Sequence, residues 1–168
     1  FDKLSKDHDL VIISDYGHGI ITPKIAKHIS NSDKFVSLNA QINAANIGTH
    51  NIRKYHDVNC LIINESELRH ELRQRDGNVE EMAVTLKNMV NSKYIAVTQG
   101  RDGAFLINGD KANHRSPGFA AQVIDKIGSG DALLAILSVC LYNNLDEKLS
   151  LFIGSLAAGQ SVETVGNS

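Results

Sequence analysis

A glycine turn followed directly by a carboxylate is the stretch of this chain best suited to chemistry. Residues 123–132 read VIDKIGSGDA, and a long apolar helical run then reaches Tyr142. Glycine-rich turns that open a helix point several backbone N–H groups at one spot and add the positive end of the helix dipole, which favours a phosphate or another anion. Gly128 and Gly130 have no Cβ, so the backbone can approach a ligand closely. We therefore predict an anion-binding turn formed by Gly128, Ser129 and Gly130.

Asp131 follows this turn and places a carboxylate beside the predicted anion pocket. A carboxylate is not needed to bind a phosphate and would repel it. Its chemical use at this position is to take a proton from a hydroxyl group that attacks the phosphate. In the alternative, purely structural interpretation, Ser129 or Asp131 is an ordinary cap on the N-terminus of the helix.

Polar residues follow the first and second predicted strands. Residues 10–14 (LVIIS) form a continuous apolar run of the kind found in fully buried strands, and residues 15–19 (DYGHG) follow at the carboxyl end, where ligands bind in open α/β sheets. Beyond the second strand, at 34–38, an amide-rich stretch contains Asn39, Gln41, Asn43, Asn46 and Asn51. Amide side chains both donate and accept hydrogen bonds, which suits sugar hydroxyl groups. A polar surface loop explains each amide equally well.

A third buried strand at residues 60–63 leads into the sequence NESE at 64–67. Asn64 can cap the helix that follows, and Glu67 stands at the capping-box position, so a structural interpretation explains both residues. In the functional alternative, both side chains face the carboxyl edge of the sheet and hold a magnesium ion through water.

The other elements complete a pattern of strands and helices. Thr22 is predicted to cap a helix that begins at Pro23 and runs to about Ser30. The remaining predicted elements are helices over 79–90, 132–142 and 146–165, a strand over 94–97, and a hairpin of residues 104–107 and 111–115. The order β-α-β-β-α-α-β-β-β-α-α, with apolar central strands, predicts a three-layer α/β domain.

The composition fits one soluble globular domain: of 168 residues, 42% are hydrophobic and 21% are charged. A net charge of −2 gives no basic field for nucleic acid. No apolar run reaches the length of a membrane span, and no signal peptide opens the chain. Cys60 and Cys140 lie in apolar strings without partners at metal-ligand spacing, so we predict buried free thiols in a reducing compartment, the cytoplasm.

Four motifs stand in order along the chain. They are residues 14–19 (SDYGHG), 64–67 (NESE), 98–100 (TQG) and 125–131 (DKIGSGD). Together they resemble the ribokinase, or phosphofructokinase-B, family of sugar kinases. The stretches at 14–22 and 39–55 are most similar to the heptose 7-phosphate kinase branch, which includes kinase modules found beside a nucleotidyltransferase. The resemblance implies a three-layer α/β/α ribokinase-like sheet.

This resemblance covers nearly the whole chain but only the later part of the family's domain. Residues 1–168 would form its C-terminal portion, the nucleotide-binding half. The family's opening strands, its small lid sheet and much of its sugar pocket would precede Phe1, so we expect a sheet truncated on its N-terminal side.

The resemblance also implies roles for individual residues. Asp131 would be the general base, and Gly128, Ser129 and Gly130 would form the anion hole. Asn64 and Glu67 would lie near magnesium and bind it through water. The implied nucleotide contacts are Thr98, Gly100, Asp125, Lys126, Gly159 and Asn167. The implied sugar contacts are Asp15, Asn39 and Gln41.

Two positions depart from the family's usual D-T-x-G-A-G-D pattern. Ser129 replaces alanine and leaves the backbone donors in place. Lys126 replaces threonine and puts a charge beside the anion pocket, where it either assists phosphate binding or points outward. Residues 39–41 (NAQ) lack the D-P-K of many heptose kinases, a difference that bears more on the sugar than on the kinase chemistry.

The first function hypothesis is therefore transfer of phosphate from ATP, with Mg²⁺, to a sugar or heptose-like sugar phosphate, with Asp131 as the base. The alternative is a non-catalytic nucleotide-binding or assembly module derived from such a kinase. The carboxylate of Asp131 argues against that alternative, because a negative charge beside phosphate is costly without a role. A Rossmann dehydrogenase fits poorly, since Gly-Ser-Gly-Asp lacks the third glycine and comes late in the chain.

The truncated sheet should leave an edge or an apolar face exposed, so we expect a homo-oligomer. The resemblance implies fusion to or pairing with a nucleotidyltransferase module. From charge and composition we expect no nucleic-acid or membrane partner. We also expect residues 1–168 alone to transfer no phosphate.

Overall fold

The computed structural model describes residues 1–41, 52–120 and 128–163, which build one mixed sheet with helices on both faces. The strands are β1 (Leu10–Asp15), β2 (Phe35–Ala40), β3 (Cys60–Asn64), β4 (Tyr94–Thr98), β5 (Ala104–Ile107) and β6 (Ala112–Ser116). The α-helices are α1 (Asp2–Ser5), α2 (Pro23–Ser30), α3 (Glu65–Glu71), α4 (Val79–Met89), α5 (Ser129–Tyr142) and α6 (Glu147–Val162). Short 3₁₀ turns lie at Ile52–Lys54 and Gly100–Asp102.

The strands lie in the sheet in the same order as in the chain, from β1 to β6. Strands β1 to β4 are parallel, and β5 and β6 add an antiparallel hairpin. The register pairs Ser14 with Asn39 across β1 and β2, and Asn64 with Thr98 across β3 and β4. The polar residues that end these strands are thereby collected along one edge of the sheet.

Alternation along the strands gives the sheet two apolar faces. On one face, Leu61, Ile63 and their neighbours pack against α2, α3 and α4. On the other face, Cys60 and Ile62 pack against α5 and α6 through fully buried side chains such as Leu137. The domain is therefore a three-layer α/β/α structure, as the sequence predicts.

Helices α5 and α6 pack closely because α6 has a glycine, Gly154, where it contacts α5. A Cβ on Gly154 would stand 2.9 Å from the Cδ1 atom of Leu133 and 3.3 Å from the Cβ of Leu137. Glycine thus has a packing role at position 154. This contact fixes α6 against the start of α5, where the glycine turn lies.

The predicted order of elements is confirmed, with shifts at their ends. Helix α5 begins at Ser129 instead of Ala132, so the glycine turn is itself the first turn of the helix, and the short helix α1 was not predicted. Both cysteines are buried free thiols, and burial raises the pKa of Cys60 to about 12. Within the described ranges, no helix combines the length and apolar character needed to cross a membrane.

Candidate active site

The glycine turn opens α5 at the carboxyl edge of the sheet. Gly128 is the N-cap and has φ +90°, a left-handed conformation that strongly favours glycine. Its carbonyl accepts the first helical hydrogen bond, from the N–H of Ala132 at 2.9 Å. Helices α2, α3, α4 and α6 are capped by the side chains of Thr22, Asn64, Asn78 and Asp146, whereas no described side chain caps α5. This helix start therefore presents backbone N–H groups to the edge of the sheet, as an anion-binding turn requires.

Asp131 points away from the helix backbone and towards β1. Its Oδ1 atom accepts a hydrogen bond from the Ser14 hydroxyl at 2.9 Å, and its Oδ2 atom accepts one from the Tyr16 hydroxyl at 3.0 Å. The interpretation of Asp131 or Ser129 as an N-cap does not describe this structure, because the N-cap is Gly128 and has no side chain. The carboxylate instead lies beside the turn with Ser14 and Tyr16 as its partners, and its role as general base stays a prediction.

Asp15 occupies the opposite face of the same strand end and is only 5% exposed. Its Oδ2 atom lies 2.6 Å from the Nζ atom of Lys54 and accepts a 2.7 Å hydrogen bond from the Tyr55 hydroxyl, while its Oδ1 atom accepts one from the N–H of Gly17. Burial favours a higher pKa for Asp15, but the hydrogen bonds from Lys54, Tyr55 and Gly17 outweigh it and hold the pKa below its ordinary value. Burial and the neighbouring carboxylate raise the pKa of Tyr55.

The buried ion pair of Asp15 and Lys54 anchors the end of β1. Lys54 also donates a 2.7 Å hydrogen bond to the carbonyl of Ile21, so it joins this strand end to the segment that follows. The sugar contact expected for Asp15 stays a prediction, because its carboxylate is taken up by these protein groups in the described structure. Sequence reasoning did not identify Lys54 and Tyr55, since neither stands in a recognisable motif.

Asn39 lies next to the glycine turn. It is 5% exposed, and its Oδ1 atom has no hydrogen-bond partner among the residues that the structure describes. Its Nδ2 atom stands 3.6 Å from the point where a Cβ would lie on Gly130. A buried amide without a partner for its oxygen is costly, so this geometry favours a ligand contact.

Gln41 follows at the end of β2, half-buried, and its N–H donates to the carbonyl of Asp15 at 2.9 Å. This hydrogen bond fixes the backbone of Gln41, and the sugar contact of its side chain stays a prediction. The other amides predicted in this stretch, Asn43, Asn46 and Asn51, lie outside the described residues.

Asn64 and Glu67 form a complete capping box at the start of α3. The Asn64 side chain accepts from the N–H of Glu67 at 2.8 Å, and the Glu67 carboxylate accepts from the N–H of Asn64 at 3.1 Å. The structural interpretation of these residues is thus confirmed, and the magnesium role stays a prediction. Among the described residues, no group of three or more histidine, cysteine or acidic side chains could hold a metal directly. Carboxylate and amide oxygens nevertheless suit Mg²⁺ that keeps most of its water ligands.

The neighbouring Glu65 has other partners. It accepts hydrogen bonds from Gln99 at 2.8 Å and from Arg69, and these hold its pKa below its ordinary value. The contact with Gln99 ties the start of α3 to the end of β4, and it thereby fixes the loop that begins at Thr98.

A cavity of about 600 Å³ opens beside the glycine turn, a size suited to a small-molecule ligand. Its wall brings together five residues that the sequence analysis selected, namely Thr98, Gly100, Ser129, Gly130 and Gly159. Thr98 and Gly100 come from the end of β4, Ser129 and Gly130 from the start of α5, and Gly159 from α6. Residues that lie far apart in the chain therefore line one space at the carboxyl edge of the sheet.

Two further residues of the cavity wall were missed by sequence reasoning. Phe119 packs over Gly159, where a Cβ would stand only 3.0 Å from the Cβ of Phe119. Ser155 is 7% exposed, and its hydroxyl has no hydrogen-bond partner within the described part of the chain. No local pattern marks either residue, because both are defined by the approach of α6 to the loop after β6.

Three predicted nucleotide contacts, Asp125, Lys126 and Asn167, lie outside the described residues. Their roles stay predictions.

Comparison with known proteins agrees with this architecture. The model of the pfkB family carbohydrate kinase matches residues 24–168. The bifunctional protein HldE of Campylobacter fetus is 29% identical over 178 aligned positions, which cover 99% of this chain, and that of Koribacter versatilis is 27% identical over 94% of it. The chain spans about a third of the length of these curated relatives, 36% and 32% respectively.

Solved structures show the same fold at lower sequence identity. Ribokinase of Thermotoga maritima superposes with a TM-score of 0.73 over 94% of this chain and 51% of its own length, at 19% identity. A Burkholderia thailandensis nucleoside kinase in complex with inosine gives a TM-score of 0.74 over 96% of this chain and 52% of its own length, at 17% identity. The likeness confirms a ribokinase-like fold.

Proposed function

This chain belongs to the pfkB family of carbohydrate kinases, and on that premise we propose that it is the nucleotide-binding part of an enzyme that transfers phosphate from ATP to a sugar or sugar phosphate. The observation that carries the proposal is the position of Asp131. It stands directly after the uncapped glycine turn and beside a cavity that can accept a nucleotide.

In the proposed reaction, Asp131 takes the proton from a sugar hydroxyl as the oxygen of that hydroxyl attacks the γ-phosphorus of ATP. A new O–P bond forms, the bond to the β-phosphate oxygen breaks, and ADP leaves with its electron pair. The backbone N–H groups of Gly128, Ser129 and Gly130 donate hydrogen bonds to the negative charge that develops on the phosphoryl group. These donors belong to a formed helix start, so we expect the stabilisation to need no rearrangement during the reaction.

We propose that the nucleotide binds in the cavity beside the glycine turn. We assign its walls at Thr98, Gly100 and Gly159 to the base and sugar of ATP, and the turn at Gly128 to the phosphates. Asp125, Lys126 and Asn167 complete the proposed nucleotide contacts. A bound Mg²⁺ would neutralise charge between the phosphates, and Asn64 and Glu67 are the residues that we propose to hold it through water.

The acceptor proposed for this site is a heptose-phosphate-like sugar. Support comes from the similarity to the bifunctional HldE proteins and from the buried amide of Asn39 beside Gly130. Gln41 and Asp15 complete the proposed sugar side. For Asp15, binding a sugar hydroxyl would require the carboxylate to exchange one of its present partners, so we rank Asn39 above it.

We further propose that the complete polypeptide works in the cytoplasm as a homo-oligomer together with a nucleotidyltransferase module, and that residues 1–168 alone are inactive. Positioning of the acceptor in line with the γ-phosphate supplies much of the catalytic power of a kinase, and exclusion of water requires a lid. A coupled ADP-release assay on residues 1–168 with a panel of sugar phosphates, beside light scattering, tests this. Sugar-dependent ADP release from a monomer would contradict it.

The function itself is tested with Asp131→Asn in the complete polypeptide. We expect phosphoryl transfer to fall by at least about a hundredfold, the scale of a general base, while ATP binding is largely kept. Asp110→Asn is the matched control, because Asp110 is exposed in the hairpin turn at the opposite end of the sheet. Near-normal turnover of Asp131→Asn would refute the assignment of the base. ATP binding without turnover in the wild type would favour the non-catalytic module.

A further inference from the structure

Both oxygens of the Asp131 carboxylate accept hydrogen bonds from hydroxyl groups at the end of β1, from Ser14 in the strand and from Tyr16 directly after it. Ser14 donates to Oδ1 at 2.9 Å and Tyr16 donates to Oδ2 at 3.0 Å. A carboxylate with a donor on each oxygen cannot rotate about its Cα–Cβ or its Cβ–Cγ bond without breaking at least one of the two contacts. An ionised carboxylate has about four acceptor positions, so two stay available for an incoming hydroxyl.

The two donors reach the same carboxylate, and they are two residues apart, Ser14 near the end of β1 and Tyr16 just past it. Side chains at i and i+2 of a strand lie on one face, and the residue between them lies on the other. The residue between them is Asp15, which is fixed by the ion pair with Lys54 at 2.6 Å. The Asp15–Lys54 ion pair therefore fixes the backbone between Ser14 and Tyr16 from the opposite side of the chain.

We propose that Ser14 and Tyr16 are positioning residues for Asp131, and that the Asp15–Lys54 pair is the anchor that keeps their hydroxyls in place. This inference rests on the proposed function, in which Asp131 is the base. The two hydroxyl donors fix the orientation of the carboxylate beside the glycine turn, where the proposed reaction needs its base.

The kinetic test uses Ser14→Ala and Tyr16→Phe in the complete polypeptide. Each variant should lose about tenfold in kcat, the scale of one hydrogen bond to a charged group, with KM for ATP and sugar changed less than about twofold. Ser14→Thr keeps the hydroxyl and should restore most of the lost turnover. Tyr142→Phe removes a phenol hydroxyl elsewhere on α5, where the ring packs edge-on against Phe35, and it should leave kcat unchanged.

A second measurement does not depend on activity. Three-bond NMR couplings from the backbone nitrogen and carbonyl carbon to the Cγ atom of Asp131 report its χ1 angle. In the wild type they should indicate one rotamer, and in the Ser14→Ala, Tyr16→Phe double variant they should move towards averaged values.

The outcomes separate this inference from the proposed function. Wild-type turnover together with full kcat in both single variants would overturn the inference and leave Asp131 as the base. Couplings that stay at one rotamer in the double variant would overturn it as well. If Ser14→Ala folds poorly, Tyr16→Phe alone decides, and full kcat with unchanged couplings in that variant would overturn the inference. Absence of sugar phosphorylation by the wild type would contradict the proposed function instead, and the couplings would still decide whether the hydroxyls hold the carboxylate.

Discussion

The side-chain nitrogen of Asn39 lies 3.6 Å from the point where a Cβ would stand on Gly130. At that distance a methyl group meets Asn39 in ordinary van der Waals contact, so the fold does not require glycine at this position. The backbone of Gly130 is helical and lies inside α5, where alanine is favoured over glycine. A requirement for glycine at residue 130 would therefore come from a ligand.

Gly130→Ala should consequently separate folding from binding. We expect the free energy of unfolding to stay unchanged or to rise by up to about 1 kcal/mol, the helix preference of alanine over glycine. ATP affinity should fall by at least about tenfold, because the new methyl group blocks close approach of a phosphate. Urea denaturation and titration calorimetry measure the two quantities. Unchanged ATP affinity would mean that no phosphate approaches this turn closely.

The cavity wall at Gly159 gives a second prediction. A Cβ there would stand 3.0 Å from the Cβ of Phe119 and 3.3 Å from the backbone nitrogen of Ala120, so the loop over α6 must move by a few tenths of an ångström. Gly159→Ala should cost about 1 kcal/mol of stability and weaken nucleotide binding, because overpacking shifts the cavity wall.

Ile95→Val is the control for this change. Ile95 is fully buried in the core on the other face of the sheet and does not line the cavity. We expect a similar loss of stability, about 1 kcal/mol, from the removed methyl group and an unaltered ATP affinity. Equal loss of affinity in the two variants would show that general destabilisation, and not the cavity wall, controls binding.

The capping box of α3 allows the magnesium proposal to be tested without loss of the helix cap. Glu67→Gln keeps an acceptor for the N–H of Asn64, so stability should change by less than about 0.5 kcal/mol. If Glu67 holds hydrated Mg²⁺, loss of its charge should raise the Mg²⁺ concentration needed for half-maximal phosphoryl transfer several-fold.

Asn78→Ala supplies the opposite pattern. Asn78 caps α4 through hydrogen bonds from the N–H groups of Glu80 and Glu81. Its removal should cost about 1 kcal/mol of stability and leave the Mg²⁺ requirement unchanged. A normal Mg²⁺ requirement in Glu67→Gln would restrict that residue to its structural role.

The buried pair of Asp15 and Lys54 predicts how stability depends on pH. The native pKa of Asp15 lies below its ordinary value of 3.8, because hydrogen bonds from its partners outweigh the effect of burial. The unfolded chain therefore binds a proton at higher pH than the native protein does. The stabilisation by Asp15 is complete above the ordinary pKa and is lost as the pH falls through the lower native pKa.

Asp15→Asn should lower the free energy of unfolding by about 3 kcal/mol at pH 7, because it leaves the Lys54 charge buried without its partner. The difference from the wild type should shrink as the pH falls below about 4, because Asp15 becomes protonated first in the unfolded chain and, at lower pH, in the native protein. Urea denaturation between pH 3 and pH 7 measures both effects. Asp33→Asn is the control, since Asp33 forms an exposed ion pair with Lys34 and should change stability by less than about 1 kcal/mol. A constant difference across this pH range would contradict the assignment.

The strand ends and helix starts could be predicted from the sequence, because they are local patterns. The glycine turn, the cap at Thr22 and the hairpin after β4 all depend on neighbouring residues, and the structure has each of them. The partnership of Ser14 with Asp131 spans 117 residues and could not be read from spacing. Asp15 was assigned a sugar contact from its motif, whereas its burial against Lys54 depends on a 3₁₀ turn that carries no sequence signature.

The agreement between strand order and chain order has a consequence for biosynthesis. Each strand pairs with the one made just before it, so the sheet can assemble from short-range contacts as the chain leaves the ribosome. One face is covered early, since α2, α3 and α4 are translated between the strands that they cover. The other face, which includes Ile62 and Leu106, must wait for α5 and α6. Until residues 128–163 have been made, one apolar face of the sheet therefore lacks its covering helices, and such a surface favours aggregation. Docking of α5 and α6 covers this face, and the same step brings Asp131 to Ser14.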